Sequence, residues 1–326
     1  MKRFHNGVVI GKFYPPHRGH HHLIDTAMGQ CERVTVLVCW KPEQTVPISV
    51  RLACLREEHP DAVVLPVEDK LADDDTIGWA AFTVQFLGIV PDAVFTSEDY
   101  GDPYAQAMGC KHVLVDRKRE VVQCSGTQIR ANPLEHYHYL APRMREFYAR
   151  RICVIGAEST GTTTMAMALA EHYHTNWVPE YGREYSEIKM AADYDGVWQS
   201  EEFVHIAREQ AKREDEAARS ANRLLICDTD PFATTLWHIR YTGQRNAEVE
   251  EIARSRHYDL YLLTGDEIPF VQDGLRDGEH IRHEMHQQFV KELTATGRRW
   301  SLLQGTHIER LAKAIELIDG IIANKD

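Results

Sequence analysis

Twice in this chain an apolar strand runs straight into a glycine-bearing loop that opens a helix. That repeated transition constrains the fold more than any other feature. The first is Val8-Val9-Ile10 leading into Gly11-Lys12-Phe13-Tyr14-Pro15-Pro16-His17-Arg18-Gly19-His20. The second, about half the chain further on, is the run from Ile152 to Ile155 leading into Gly156-Ala157-Glu158-Ser159-Thr160-Gly161-Thr162-Thr163-Thr164. A strand that ends in such a turn offers backbone N–H groups and the positive end of a helix dipole to a phosphate.

The flanking sequence repeats the strand–helix alternation. After the first loop, the runs Val34–Val38, Ala62–Leu65, Ala93–Thr96 and His112–Val115 read as strands. The stretch carrying Leu23, Ile24 and Ala27, then Arg51–Glu58 and Ile77–Leu87, reads as helices. After the second loop come helices over Thr163–His172, Ser200–Asn222 and Ile308–Ile322, with strands at Trp177–Pro179, Leu224–Cys227 and Asp259–Leu263. Alternation of this kind predicts an α/β fold with two doubly wound parallel-sheet domains, a Rossmann-like one followed by a P-loop one. At 326 residues the chain has room for both. The aromatic and basic stretch Tyr137–Arg151 reads as a closing helix and linker, with the boundary near 145–151 and the domains at 1–148 and 149–326. The mixed-sign run Arg208–Arg219 reads as a solvated helix face.

The net charge of −12 excludes broad, nonspecific nucleic-acid binding. The residues before Val8 have no apolar signal core, and no apolar stretch is long enough to span a bilayer, so neither secretion nor membrane insertion is expected. Seven cysteines are scattered without a CxxC pair. Cys39, Cys153 and Cys227 fall in strand runs and read as small core residues of a cytoplasmic protein. Homo-oligomer formation is left open.

At the first loop, His17 and His20 flank Gly19 where the helix begins. Two imidazoles there can donate hydrogen bonds to phosphate oxygens as charge grows during group transfer, with Lys12 and Arg18 adding positive charge. Gly11 and Phe13 complete the loop. Ser125-Gly126-Thr127-Gln128-Ile129-Arg130 adds hydroxyls, a close-approach glycine and a guanidinium, a set suited to the β- and γ-phosphates of ATP.

At the second loop, Gly156 and Gly161 have P-loop spacing, Thr163 occupies the position of the Mg²⁺-binding hydroxyl, and Ser159 and Thr164 flank the cradle. Asp228 ends an apolar strand as a Mg²⁺-binding carboxylate does. Glu180 follows the next strand and is a candidate general base. Arg276 and Arg282 suggest an arginine-bearing lid over the γ-phosphate. The irregularity is Thr162, which stands where the loop lysine should be. Arg183, Arg276 and Arg282 are the candidate replacements for its charge.

The pairing of HxGH with SGTxxR resembles the HxGH nucleotidyltransferases. The stretch Val94–Gly101, Trp79 and the run His112–Arg117 resemble the nicotinamide mononucleotide (NMN) adenylyltransferase domain of the bifunctional NadR family. GAESTGTTT, PEYGREY, DTD and DGLR resemble that family's ribosylnicotinamide kinase domain. The resemblance covers about Gly7 to Asp319. It implies adenylyl transfer from ATP to NMN to give NAD, together with phosphorylation of nicotinamide riboside, with ATP and Mg²⁺ as cofactors. It further implies that Trp79, Glu98 and Tyr100 lie near the acceptor nucleotide, Trp79 as a stacking partner of its ring, and that Tyr181 and Asp230 serve the kinase substrate. Longer family members carry an N-terminal helix-turn-helix domain. This chain starts at the transferase strand, so a DNA-binding role is not expected. Two alternatives stay open: an HxGH transferase acting on another phosphorylated acceptor, and a catalytically weak P-loop domain that senses nucleotides.

Overall fold

The computed structural model describes residues 1–192, 197–272 and 279–323, and the chain divides into two compact units, Met1–Phe147 and Tyr148–Asp326. Unit 1 runs β1 (Phe4–Gly11), α1 (Arg18–Gln30), β2 (Cys31–Trp40), α2 (Ile48–Glu58), β3 (Val63–Glu68), α3 (Thr76–Leu87), β4 (Ala93–Thr96), α4 (Gly101–Met108), β5 (Lys111–Leu114), α5 (Gly126–Ala131) and α6 (Pro142–Tyr148). All its strand pairs are parallel, in the order β3-β2-β1-β4-β5. β1 is buried on both faces, as its run of β-branched residues requires. Val9 packs with Leu23, Ile24 and Ala27 of α1 and Leu55 of α2. On the other face Val8 and Leu37 pack with Ala80 of α3 and Tyr104 and Met108 of α4. Strand order reverses beside β1, and the crevice at the carboxyl ends of such strands is where open α/β sheets bind ligands.

Unit 2 runs β6 (Arg150–Ile155), α7 (Thr162–Tyr173), β7 (Trp177–Val178), α8 (Tyr181–Ala191), α9 (Ser200–Ala218), β8 (Leu224–Asp228), α10 (Pro231–Thr242), α11 (Ala247–Ser255), β9 (Leu260–Thr264), α12 (Glu279–Ala295), β10 (Trp300–Leu303) and α13 (His307–Ala323). Its sheet is also parallel, in the order β10-β9-β6-β8-β7. No helix among the described residues is long and apolar enough to cross a membrane.

Three local expectations need correction. β6 starts at Arg150 rather than Ile152, because both arginines find acids at the sheet margin. Arg150 pairs with Asp259 at 2.9 Å, and Arg151 pairs with Asp215 at 2.7 Å and Glu214 at 3.4 Å. α9 stops at Ala218, short of Asn222, which turns back to bridge Leu224. The run Arg208–Arg219 is not wholly solvated, since Gln210 and Glu214 are buried. Glu214 accepts from Tyr258 at 2.6 Å and faces Arg256 and Arg151. Burial nevertheless outweighs those cations and lifts its carboxyl to about 7.

Candidate functional site

In unit 1 a cavity of about 520 Å³ lies at the carboxyl ends of the strands and gathers Gly11, Lys12, Phe13, His17, Gly19, His20, Trp79, Glu98, Tyr100, Ser125, Thr127 and Arg130. His17 is the N-cap of α1, and its Nδ1 accepts from the Gly19 N–H at 3.1 Å. The Cys124 thiol donates to the same nitrogen at 3.3 Å. With Nδ1 an acceptor, the imidazole proton sits on Nε2. The His20 ring stacks on His17 with centroids 3.7 Å apart. Gly19 fits closely against this cap: a Cβ there would sit 3.0 Å from His17 Cε1, so the ring would have to shift. Burial, with the Arg119 charge adding to it, pushes His17 down to about 4. Burial and the neighbouring His17 and His21 push His20 well below the usual range. Both rings are therefore neutral near pH 7.

The donors around the cap are braced from outside the motif. Arg51, 1% exposed, donates to the Lys12 carbonyl at 2.8 Å and the Cys39 carbonyl at 3.2 Å. Lys12 Nζ lies 2.8 Å from Asp73. Ser125 caps α5, accepting from the Gln128 N–H at 3.2 Å. Arg130 donates to the Tyr14 carbonyl and, at 3.2 Å, to Thr127 Oγ1. Also on the lining, Trp79 donates to the Ala72 carbonyl at 3.0 Å and Tyr100 to the Ile10 carbonyl at 3.4 Å, while Glu98 pairs with Arg119 at 3.4 Å. Sequence reasoning missed Arg51, Arg119, Tyr104 and Asp69. Arg51 alone left a readable signal, a lone arginine on the apolar stretch Ile48–Leu55.

In unit 2 a cavity of about 230 Å³ gathers Gly156, Ser159, Gly161, Thr162, Thr163, Thr164, Glu180 and Arg183. Gly156 has no room for a side chain, because a Cβ would meet Thr264 Oγ1 at 2.2 Å. Gly161 caps α7 at φ 86°, a backbone that favours glycine. Arg310 of α13, 4% exposed, stiffens the loop from behind, donating to the carbonyls of Thr160 at 3.0 Å and Gly265 at 3.1 Å. Thr163 Oγ1 donates to Asp228 Oδ2 at 2.5 Å, while the buried Asp228 Oδ1 has no partner. A hydroxyl beside an unsatisfied buried carboxylate oxygen is a donor set that fits a hard cation such as Mg²⁺. Burial raises Asp228, against hydrogen bonds from Thr163 and Thr162 and the charge of Arg183. Burial and the Asp228 charge lift Glu180 to about 8, a proton affinity suited to a base. Among the described residues no group of three or more histidines, cysteines and acids is placed to hold a metal ion.

The remaining unit 2 candidates lie elsewhere. Asp230 is fully buried as the N-cap of α10, with Oδ1 accepting from Ala233 at 2.9 Å and Oδ2 from the Tyr261 hydroxyl at 2.7 Å. Both oxygens are used in holding the fold, and the residue does not line the cavity. Tyr181 is buried, its hydroxyl 2.9 Å from His205 Nε2 and its ring under Arg213, also off the cavity wall. Arg282 is buried off the wall too, with Nε and one terminal nitrogen unpartnered. Arg276 lies outside the described residues. An aromatic wall that sequence reasoning missed completes the cavity: Trp198, Phe203, Trp237 and Tyr241, with Trp198 5.4 Å from Tyr241 and 5.2 Å from Phe203 between centroids.

Two parallel α/β units, one with an imidazole-capped helix and one with a P-loop cradle, define a tandem nucleotide-binding protein of the nucleotidyltransferase and P-loop kinase architectures. A family model described as an AAA domain matches residues 151–310. The chain is 29% identical over 310 residues to the trifunctional NAD biosynthesis/regulator protein NadR of Escherichia coli (strain K12), covering 88% of this chain and 75% of that protein. It is 29% identical over 311 residues to NadR of Salmonella typhimurium (strain LT2), with the same coverage. A NadR crystal structure in complex with NAD and AMP-PNP superimposes with a TM-score of 0.76 at 21% identity, over 100% of this chain and 98% of that one. A NadR structure in complex with NR gives the same score and identity, over 98% and 97%. The chain is a homologue of NadR and has its fold.

Proposed function

We propose that unit 1 transfers the adenylyl group of ATP to NMN, forming NAD and pyrophosphate, and that unit 2 phosphorylates nicotinamide riboside with ATP to give NMN. The observation that carries this reading is the neutral His17–His20 pair on a helix N-terminus, in one cavity with Ser125, Thr127, Arg130, Trp79 and Tyr100. Homology to NadR supports both halves.

In unit 1 an oxygen of the NMN 5′-phosphate attacks the α-phosphorus of ATP. The bond from that phosphorus to the oxygen bridging the α- and β-phosphates breaks, and pyrophosphate leaves. His17 Nε2–H, Lys12 and Arg130 donate to the charge that develops, so no protein nucleophile is needed. In unit 2 the 5′-hydroxyl of the riboside attacks the γ-phosphorus, ADP leaves, and the hydroxyl proton passes to Glu180. Mg²⁺ held by Thr163 and Asp228 would neutralise charge on the phosphates. The wall of Trp198, Phe203, Trp237 and Tyr241 suits a flat cationic pyridinium ring. On this reading the partners are small molecules rather than nucleic acid, and the protein acts in the cytoplasm.

The test is one preparation assayed for both half-reactions, NAD from NMN and ATP, and NMN from nicotinamide riboside and ATP. Failure to form NAD, with transfer instead to another phosphorylated acceptor such as phosphopantetheine, would sink the first half. Thr162 favours one second reading, in which unit 2 only senses nucleotides. Riboside phosphorylation that disappears in Asp228→Ala would exclude it.

A further inference from the structure

Thr229 follows the last residue of β8 and precedes the N-cap of α10, and its φ is 67°. That is left-handed backbone, where a β-branched residue is a genuine outlier. Its surroundings lock it there. Its N–H donates to the Val154 carbonyl at 2.9 Å. Before it, Asp228 is buried and bonded to Thr163. After it, Asp230 is buried with its two oxygens held by Ala233 and Tyr261. Thr229, between these two carboxylates, is partly exposed and lines the unit 2 cavity. Its hydroxyl has no hydrogen-bond partner among the described residues, yet it is not one of the buried unpartnered atoms, so it is open to solvent. Strain of this kind persists only where the structure over-determines it, and it clusters at functional sites.

The helix that follows indicates what the hydroxyl meets. Thr234, Trp237 and Tyr241 line the same cavity from α10, at the spacing of one helix face. Thr234 spends its hydroxyl on the Asp230 carbonyl at 3.1 Å. Trp237 and Tyr241 are two rings of the aromatic wall. Thr229 thus links the strand whose Asp228 bonds the P-loop hydroxyl to the helix that carries those rings.

We propose that Thr229 is a substrate contact of unit 2: its hydroxyl hydrogen-bonds the sugar of the acceptor nucleoside, and the strained backbone is kept because it holds that hydroxyl in the cavity. This rests on the kinase reading of unit 2. A nucleoside with its ring on the aromatic wall and its 5′-hydroxyl at Glu180 places its sugar between the two, where the residue joining β8 to α10 can reach it. A glycine would adopt this backbone without strain. The threonine therefore costs stability, and the cost is explained if its side chain serves the substrate.

Three substitutions in the full chain separate the hydroxyl from the strain. Thr229→Val keeps the shape and the strain but loses the hydroxyl. Thr229→Ser keeps the hydroxyl. Thr229→Gly loses the hydroxyl and relieves the strain. Each is assayed for phosphorylation of nicotinamide riboside by ATP, for riboside binding by calorimetry and for thermal unfolding. Thr229→Val should raise the KM and the Kd for the riboside about tenfold, the size of one lost hydrogen bond, with the KM for ATP unchanged. Thr229→Ser should stay close to the wild type. Thr229→Gly should bind the riboside as weakly as Thr229→Val, yet melt about 2–4 °C above the wild type. Unchanged riboside affinity in Thr229→Val and Thr229→Gly would overturn the proposal. So would a Thr229→Gly chain that melts below the wild type, since Thr229 would then serve the fold. A rise in the KM for ATP instead would assign the hydroxyl to the phosphates and overturn the sugar contact. A wild type that neither binds nor phosphorylates the riboside defeats the kinase reading itself and this proposal with it. That result is distinct from an active enzyme whose riboside affinity ignores the loss of the hydroxyl.

Discussion

Arg183→Ala should cripple phosphoryl transfer in unit 2, and Thr162→Lys should restore it. The cradle lacks its lysine, and its cavity is lined by the carboxylates Glu158 and Glu180, with Asp228 bonded to Thr163 of the lining. Arg183 is the cation lining that cavity among the described residues, and its charge draws both Asp228 and Glu180 downward. A unit charge about 6 Å from a phosphate oxygen, at an effective dielectric of ~20, is worth about 3 kcal/mol. That corresponds to a loss of about 100-fold in kcat for riboside phosphorylation. A lysine at 162 supplies the same charge from the loop itself. It should therefore change the wild-type rate by less than about tenfold, yet recover most of the loss in the Arg183→Ala background. The coupling energy between the two sites should be about 2 kcal/mol. The assay is single-chain kinase turnover at saturating ATP, with NAD formation by unit 1 of the same preparation as an internal control for folding. Additive effects, with lysine helping equally in both backgrounds, would show that Arg183 does not stand in for the lysine.

Three further outcomes follow from the geometry. Glu180, raised from 4.5 to about 8, binds its proton more tightly folded than unfolded, so its contribution to stability falls as pH rises across that window. Glu180→Gln should therefore gain stability relative to the wild type between pH 5 and 8, by about 1–3 kcal/mol after allowing for solvent screening, while losing kinase turnover; parallel melting curves with no pH-dependent gap would contradict this. Gly19→Ala pushes a methyl against the His17 ring at 3.0 Å, so NAD formation should drop about tenfold or more with riboside phosphorylation intact; equal activity in both assays would mean the cap is dispensable. Arg310→Leu strands the buried carbonyls of Thr160 and Gly265 and should cost about 2–4 kcal/mol by denaturant unfolding of unit 2, with unit 1 activity retained; an unchanged midpoint would show that the loop does not need the brace.

The parts of the fold legible in the sequence were those fixed by local chemistry. Val8–Ile10, Ala93–Thr96 and Leu224–Cys227 announce buried parallel strands because short, nearly continuous apolar runs bounded by loop residues have little other use. The glycine loops announce themselves because Gly156 and Gly161 are demanded by close approach and by a positive φ. Long-range pairing hid the rest. Arg150 and Arg151 looked like linker because their acids, Asp259, Glu214 and Asp215, lie far along the chain. α10 passed unremarked because its N-cap, Asp230, sits in a motif that reads as catalytic; the same carboxylate that seemed destined for substrate is used up by Ala233 and Tyr261.

The two sites differ in legibility for one physical reason. A phosphate site needs backbone geometry, which short motifs encode, and charge balance, which they do not. In unit 1 many of the charged groups stand inside or beside the motifs, so His17, His20, Lys12 and Arg130 could be named from them and are found lining one cavity. In unit 2 the loop geometry is intact while its charge is displaced. The lysine position holds a threonine, and the cation on the cavity wall belongs to α8, outside the loop. A motif comparison registers that as a missing residue. The structure registers it as a question of which helix carries the charge. By position the cation on the cavity wall among the described residues is Arg183, whose Nε pairs with Glu187 at 3.1 Å, while Arg282 lies off the wall; the Arg183→Ala and Thr162→Lys pair decides which charge the phosphates use.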